Sequence, residues 1–453
     1  MSFTSIICGI KILKPTIFFE EEFLGVYPSL INTINLLCRS SSHTHIISTE
    51  RKSNFPAPPP FPENAVFHKI LQHSEYDRNQ FDFDKQTTPS WNQNAKKTSL
   101  WKKFFPESLK VHYRLIRNLL IENIDHWQEQ INWVCDKSRY YFFSIRKAWV
   151  IKPSVLIAID ESGLIAASVV RLLSPQKPRL VFWSLEIDTG KSTLLFKRLH
   201  EGLFSICARL VDIVVIQEKT RLNTLEQKLN YRFLHSQIFF IPHSPIGDDQ
   251  SSFDSASKKN GFFQNLFSLS STDKVILHAG WIHDAMCVDK IAKASKAWKP
   301  EFKLVLHERE KRTPEETFIS YVSELSGGKA LLSLNPVSFE HMDEVFSSAH
   351  IGLIAYDRRY GGGRENAHKA SGKLGQYLKC GVPVVALDLP GYREMFHKYQ
   401  CGMVFENFDE IENCIEIILN DYENFKREAI RCFREEFDFQ KFFSPFLECL
   451  LDE

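Results

Sequence analysis

The chain has 453 residues and a mass of 52.6 kDa, enough for two or three domains that each bury a core without a metal or disulfide staple. Its 56 Lys and Arg balance 55 Asp and Glu, so no overall positive potential draws a nucleic-acid polymer to it. Hydrophobic content of 43% with 25% charged residues excludes the disordered, fibrous and multispan membrane classes.

From the N-terminus, MSFTSIICGIKILK has no basic segment and no small-residue cleavage site, which argues against a secretory signal. PTIFF at 15–19 predicts a strand, YPSLINTINLLCRSS a helix and HIIST at 45–49 a second strand, the opening of a βαβ-like unit. RKSNFPAPPPFP at 51–62 must be a loop, because proline removes amide donors and restricts its neighbour. The polar stretch 74–100 predicts a long excursion before a helical segment that begins around 101.

Regular alternation then resumes. SVLIAID at 154–160 and RLVFWSLEI at 179–187 are strands around the helix ESGLIAASVVRLL; a helix over 194–209, the strand DIVVIQ at 212–217, the helix TRLNTLEQKL and the strand QIFFIP at 237–242 follow. HSPIGDDQSSFDSASKKNG is poor in large apolar residues, which puts a domain boundary between 243 and 271. The second half repeats the rhythm with KVILHAG at 274–280, KLVLHE at 303–308, ALLSL at 330–334, HIGLIAY at 350–356 and PVVAL at 383–387. The expected organisation is an α/β domain over 1–243 with an irregular insertion near 50–100, a second over 271–430, and a helical segment over 431–453 whose path, closing the second domain or returning across the first, stays open.

The ten cysteines stand apart, without zinc spacing, which predicts small buried hydrophobes, a reducing and cytoplasmic setting, and no metal site. The longest apolar region, 148–173, is broken by Lys, Pro, Asp, Glu and Gly and falls short of a bilayer span. Contact with a membrane surface stays open, because aromatic and basic residues mix in WKKFFPESLK at 101–110 and SRYYFFSIRKAWV at 138–150.

The chemistry concentrates in two turns. Gly280 follows a strand where a close turn lets a ligand approach backbone amides. The richer segment runs from 350 to 388 and places Gly-rich sequence, two arginines and a helix entrance after a buried strand. There Ser371 can donate a hydrogen bond, Gly372 allows close main-chain approach and Lys373 can neutralise phosphate oxygens; an ordinary Ser cap and surface Lys is the bland alternative. Arg309, after KLVLHE, is a second candidate cation. Asp160 and Glu186, at the expected ends of their strands, can open toward a cleft, one to orient or deprotonate an acceptor hydroxyl and the other to shape the site; capping or surface roles explain them equally well.

SGKLGQYLKCGVPVVA, with KVILHAG and HIGLIAY, resembles the donor-site helix and flanking strands of GT-B glycosyltransferases, most closely glycosyltransferase family 4, also called group 1. That resemblance covers about 270–410 and implies two Rossmann-like domains facing a cleft, with a nucleotide diphosphate sugar on the second and the acceptor on the first. It implies sugar transfer to a hydroxyl of a glycan, glycolipid or small molecule, with retention, and no cofactor beyond the donor. Many members carry two glutamates eight positions apart; here His368 and Gln376 stand at those places, and Glu365 is the nearby carboxylate that can substitute. Competing readings are an inactive GT-B scaffold used for binding or assembly, and a GT-B-like epimerase. The donor nucleotide, acceptor and oligomeric state are not specified by these residues.

Overall fold

The computed structural model describes residues 13–20, 27–50, 55–71, 107–187, 195–247, 261–360 and 367–452. They build two wholly parallel sheets. In the first, β1 (Pro15–Phe19), β2 (Thr44–Glu50), β3 (Ala65–Leu71), β4 (Val155–Ile159), β5 (Arg179–Trp183), β6 (Ile213–Ile216) and β7 (Gln237–Phe240) lie in the order β3-β2-β1-β4-β5-β6-β7. In the second, β8 (Lys274–Ala279), β9 (Phe302–His307), β10 (Leu331–Ser333), β11 (Ile351–Ile354), β12 (Val384–Leu387) and β13 (Gly402–Phe405) lie in the order β10-β9-β8-β11-β12-β13. In each sheet the order reverses beside the first strand, between β1 and β4 and between β8 and β11. Such a switch point opens a crevice at the carboxyl ends of the strands.

The continuous apolar strands follow from helices on both faces. Val155, Ile157 and Ile159 of β4 enter one core with Trp183 and Phe443, whereas Leu156 and Ala158 enter the opposite core with Tyr140, Leu164 and Phe204. The helix Phe439–Leu451 returns to the first domain, where Phe439, Phe443 and Phe446 surround Trp183 at ring-centroid distances of 6.4, 6.3 and 6.0 Å. This second crossing between the domains is tied to the first. Ser244 donates to the Phe437 carbonyl, the Gly247 amide donates to Asp438 at 3.1 Å, and the Phe439 amide donates to the Pro245 carbonyl at 3.2 Å.

The structure departs from the sequence expectations at several places. β5 ends at Trp183 instead of 187, because the Leu185 and Glu186 amides donate to the Asp160 carboxylate and leave no ladder to continue. β3 and β13 are additions. β3 is a half-buried strand at the end of its sheet, and β13, GMVF, has Met403 and Val404 half-buried, so neither carries a wholly buried apolar run. The helix before β4 runs through 45 residues, Glu107–Ile151. The polar stretch 74–100 lies outside the described residues, as do residues 361–366 and with them Glu365.

Candidate functional site in the interdomain cleft

β8 hands over to a turn at Gly280, whose φ of +117° suits glycine alone. A Cβ there would lie 3.3 Å from both Cε and Nζ of Lys373, so the two turns singled out in the sequence are in contact. Lys373 belongs to the first turn of the helix Gly372–Lys379. Its ammonium lies 5.5 Å from the Tyr356 ring centroid and 3.9 Å from Met286 Sδ, with no carboxylate partner among the described residues. Burial, and after it the positive charge of Arg309, pushes the Lys373 pKa down to about 7, against the opposite pull of Glu308.

Arg309 comes from the turn after β9. Its guanidinium is sandwiched between Trp281 at 5.2 Å and Phe55 of the first domain at 5.4 Å, and its buried Nε has no hydrogen-bond partner. Glu308 beside it is wholly buried and accepts the Ile282 amide at 2.9 Å and the Arg309 amide at 2.8 Å. Burial outweighs these stabilising contacts and raises its pKa to about 7. Lys373 and Arg309 therefore feel each other's charge beside Glu308, whose carboxylate also lies 3.7 Å from Arg312. An arrangement of this kind is costly when empty and suited to a multiply charged anion.

The helix entrance is built mainly against protein. Ser371 shares a 2.6 Å hydrogen bond with the Tyr356 hydroxyl and does not cap the helix through its side chain. A Cβ at Gly372 would come within 3.1 Å of His243 Cδ2, so the close approach there serves domain contact. His243 is fixed by Ser29 at 2.6 Å and by its own amide to the Lys369 carbonyl at 2.8 Å; burial, with Arg221 adding to it, lowers its pKa to about 4. His368 reaches across the cleft to Glu218, with Nε2 at 2.9 Å from the carboxylate. Gln376 turns away from Lys373 and donates to Asp343, which Lys379 also contacts at 2.7 Å. The structure thus brings Gly280, Arg309 and Lys373 together, keeps Ser371 and Gly372 at the same helix entrance, and separates Gln376 from them.

On the first-domain wall, Asp160 adopts a φ of +52° and its Oδ1 accepts the amides of Leu185 at 2.7 Å and Glu186 at 3.0 Å. The Glu186 side chain is exposed. Buried Arg221 donates from Nε to Gln217 at 2.6 Å and from Nη2 to the Leu185 carbonyl at 2.9 Å, in the field of Glu186, Glu218 and Asp160. Glu218, Arg221, His243, Trp281, Phe55 and Glu308 escaped the sequence reading. The available signal was placement after a strand: Gln217 to Arg221 follow β6 as Glu308 follows β9. Among the described residues no group of three or more His, Cys, Asp or Glu is placed to hold a metal ion.

No family model matches the sequence, and no curated protein matches it. Solved structures do resemble the whole chain. Sucrose-phosphate synthase from Thermosynechococcus elongatus superposes with a TM-score of 0.62 at 10% identity, covering 96% of this chain and 98% of its own. An α,α-trehalose-phosphate synthase (UDP-forming) from Burkholderia vietnamiensis gives 0.60 at 11% identity, covering 97% and 99%. Anabaena HepE in complex with UDP-glucose gives 0.60 at 10% identity, again covering 97% and 99%. At such identities the likeness is one of architecture, and it agrees with the strand orders and the opposed crevices: this chain has the GT-B fold, two Rossmann-like domains facing a cleft.

Proposed function

We propose that the protein transfers a sugar from a nucleotide diphosphate sugar to an acceptor hydroxyl in glycan or glycoconjugate synthesis. The carrying observation is the pair Lys373 and Arg309, cations enclosed at the C-terminal ends of β8 and β9 without a carboxylate partner for Lys373 among the described residues. A bound diphosphate supplies the missing negative charge and returns Lys373 to its ammonium form. As the bond from the sugar C1 to the diphosphate breaks, the same two groups stabilise the charge that gathers on the leaving oxygen. The acceptor oxygen bonds to C1, and its proton passes to the departing phosphate.

Retention is the expected stereochemistry. It rests on the family-4 resemblance of SGKLGQYLKCGVPVVA, and it is compatible with Asp160 spending Oδ1 on two amides. Ser371 and Gly372 present the amides of the helix entrance, and His368 lies within the same opening. Neighbours in architecture include HepE with UDP-glucose, which makes a UDP-sugar the first donor to test. A mass-resolved assay with several nucleotide sugars and a mixed glycan and glycolipid pool tests the reading. A new glycosidic product released with the nucleoside diphosphate is expected; nucleotide-sugar binding without product under all combinations would overturn it.

The second reading is a GT-B scaffold that binds without turnover. The observation in its favour is Gln376, which stands where the resemblance expects a ribose-binding glutamate and is engaged with Asp343. Donor affinity with no product, in the same assay, is its signature.

A further inference from the structure

Among the described residues, two helices of the first domain carry large exposed apolar ridges. Trp127, Ile131, Phe142 and Trp149 of the helix Glu107–Ile151 each leave more than half their surface open. Their spacing returns them to within about 60° of one another on a 3.6-residue helix, a ridge about 33 Å long. On the helix Leu195–Cys207, Leu195, Leu199, Leu203 and Ile206 are equally open and fall within about 80°. His200 links the two helices through side chains: its Nε2 lies 2.7 Å from the Tyr141 hydroxyl, and Trp133 meets its ring edge-on at 5.4 Å, while the helix Asp160–Leu173 packs against both. The two ridges lie on helices that share this neighbour, and together they expose more large apolar side chains than the scattered residues normal on a protein exterior.

The fully exposed charges beside these ridges are basic: Arg139 and Arg146 on the long helix, Arg198 on the second and Arg209 just beyond it, whereas Asp136 and Glu201 are half-buried. Tryptophan at both ends, aliphatic and phenyl groups between, and arginine at the rim match the boundary between acyl chains and anionic headgroups. A second copy docked on the same face would bring these arginines near one another. No helix among the described residues is long and apolar enough to cross a membrane, so contact would lie in the interface plane.

We infer that the exposed apolar ridges of the helices Glu107–Ile151 and Leu195–Cys207 dock the protein on the surface of an anionic lipid bilayer. The test is flotation of the full chain with vesicles of phosphatidylcholine and phosphatidylglycerol in equal parts, and with phosphatidylcholine alone. Binding to the anionic vesicles is expected, at least about tenfold stronger than to the neutral ones and lost at 1 M salt, where the Debye length falls to about 3 Å. Phe142→Asp and, separately, Leu199→Asp each weaken binding by about tenfold, because both place a carboxylate against lipid. In the unmodified chain, brominated acyl chains quench tryptophan fluorescence, a readout independent of whether either variant folds. Absence of flotation with anionic vesicles, or flotation without quenching, overturns the inference. So does concentration-dependent dimerisation abolished by the same two substitutions, which would assign the face to a second copy.

Discussion

The two walls of the cleft handle charge in opposite ways. On the first-domain wall, the Asp160 carboxylate receives two amides, Arg221 is held by Gln217 and a carbonyl, and Glu218 meets His368. On the second-domain wall, Lys373 and Arg309 are half-buried beside Glu308, whose pKa burial raises to about 7. A paired set fixes geometry, whereas an enclosed cation pair stores unfavourable free energy that an incoming anion releases. On the proposed function, the second domain is the side where binding energy is gained.

Removing Lys373 breaks the comparison most directly. Lys373→Met should lower turnover with a nucleotide sugar by about 100-fold or more, the scale for losing one charge-stabilising group. In the ligand-free protein the same change should raise Tm by about 2–4 °C, since roughly 1 kcal/mol of unfavourable charge burial disappears. Steady-state kinetics and calorimetry check both halves; unchanged kinetics with a lowered Tm would make the lysine a structural residue only.

Gly280→Val should weaken donor binding by about tenfold, because a β-branched side chain is strained at that φ and its Cβ would press on the Lys373 ammonium. Titration calorimetry with UDP and UDP-glucose measures it; an unaltered affinity would remove Gly280 from the site.

The pH dependence sharpens the contrast further. Donor binds the charged form of Lys373, so affinity should fall by up to about tenfold per unit as pH rises above about 7. Stability of the free protein should move the other way from that pH toward 10.5, because the unfolded lysine still holds its proton there and the folded one does not. Glu308 has the reverse effect at lower pH: between 4.5 and about 7 the folded carboxyl holds more proton than the unfolded one, so stability falls as pH rises. A binding curve flat from pH 6 to 9 would contradict the enclosed lysine.

The smallest effect is expected on the paired wall. Asp160→Asn keeps a side-chain oxygen for the Leu185 and Glu186 amides and should cost about 1 kcal/mol of stability by denaturant titration, with turnover changed less than about threefold. Lost turnover with intact donor binding would instead make Asp160 the acceptor base.

Much of the architecture was legible because parallel strands covered on both faces are apolar almost throughout, as β4 and β11 are entirely and β1 and β8 are but for Thr16, Lys274 and His278. β13 was hidden by a short sequence, GMVF, that opens on glycine and leaves Met403 and Val404 half-buried, and β3 by its mixed, half-buried sequence at the edge of the sheet. Gly280 and Lys373 were legible as local turn chemistry, and Arg309 as a charge after a strand. The cross-domain partners were not, since Phe55 on Arg309, Glu218 on His368 and His243 over Gly372 are made by folding segments more than a hundred residues apart. The Asp160 contacts were also hidden, because a carboxylate that receives backbone amides leaves no residue-type signature in sequence.

The double passage of the chain between the domains carries a mechanical consequence. With Ser244, Gly247 and Pro245 bound to residues 437–439, the halves are joined by two strands of backbone fastened at one spot, so they can pivot about it but resist sliding or twisting apart. An opening that swings on that pivot would part Phe55 from Arg309 and His368 from Glu218.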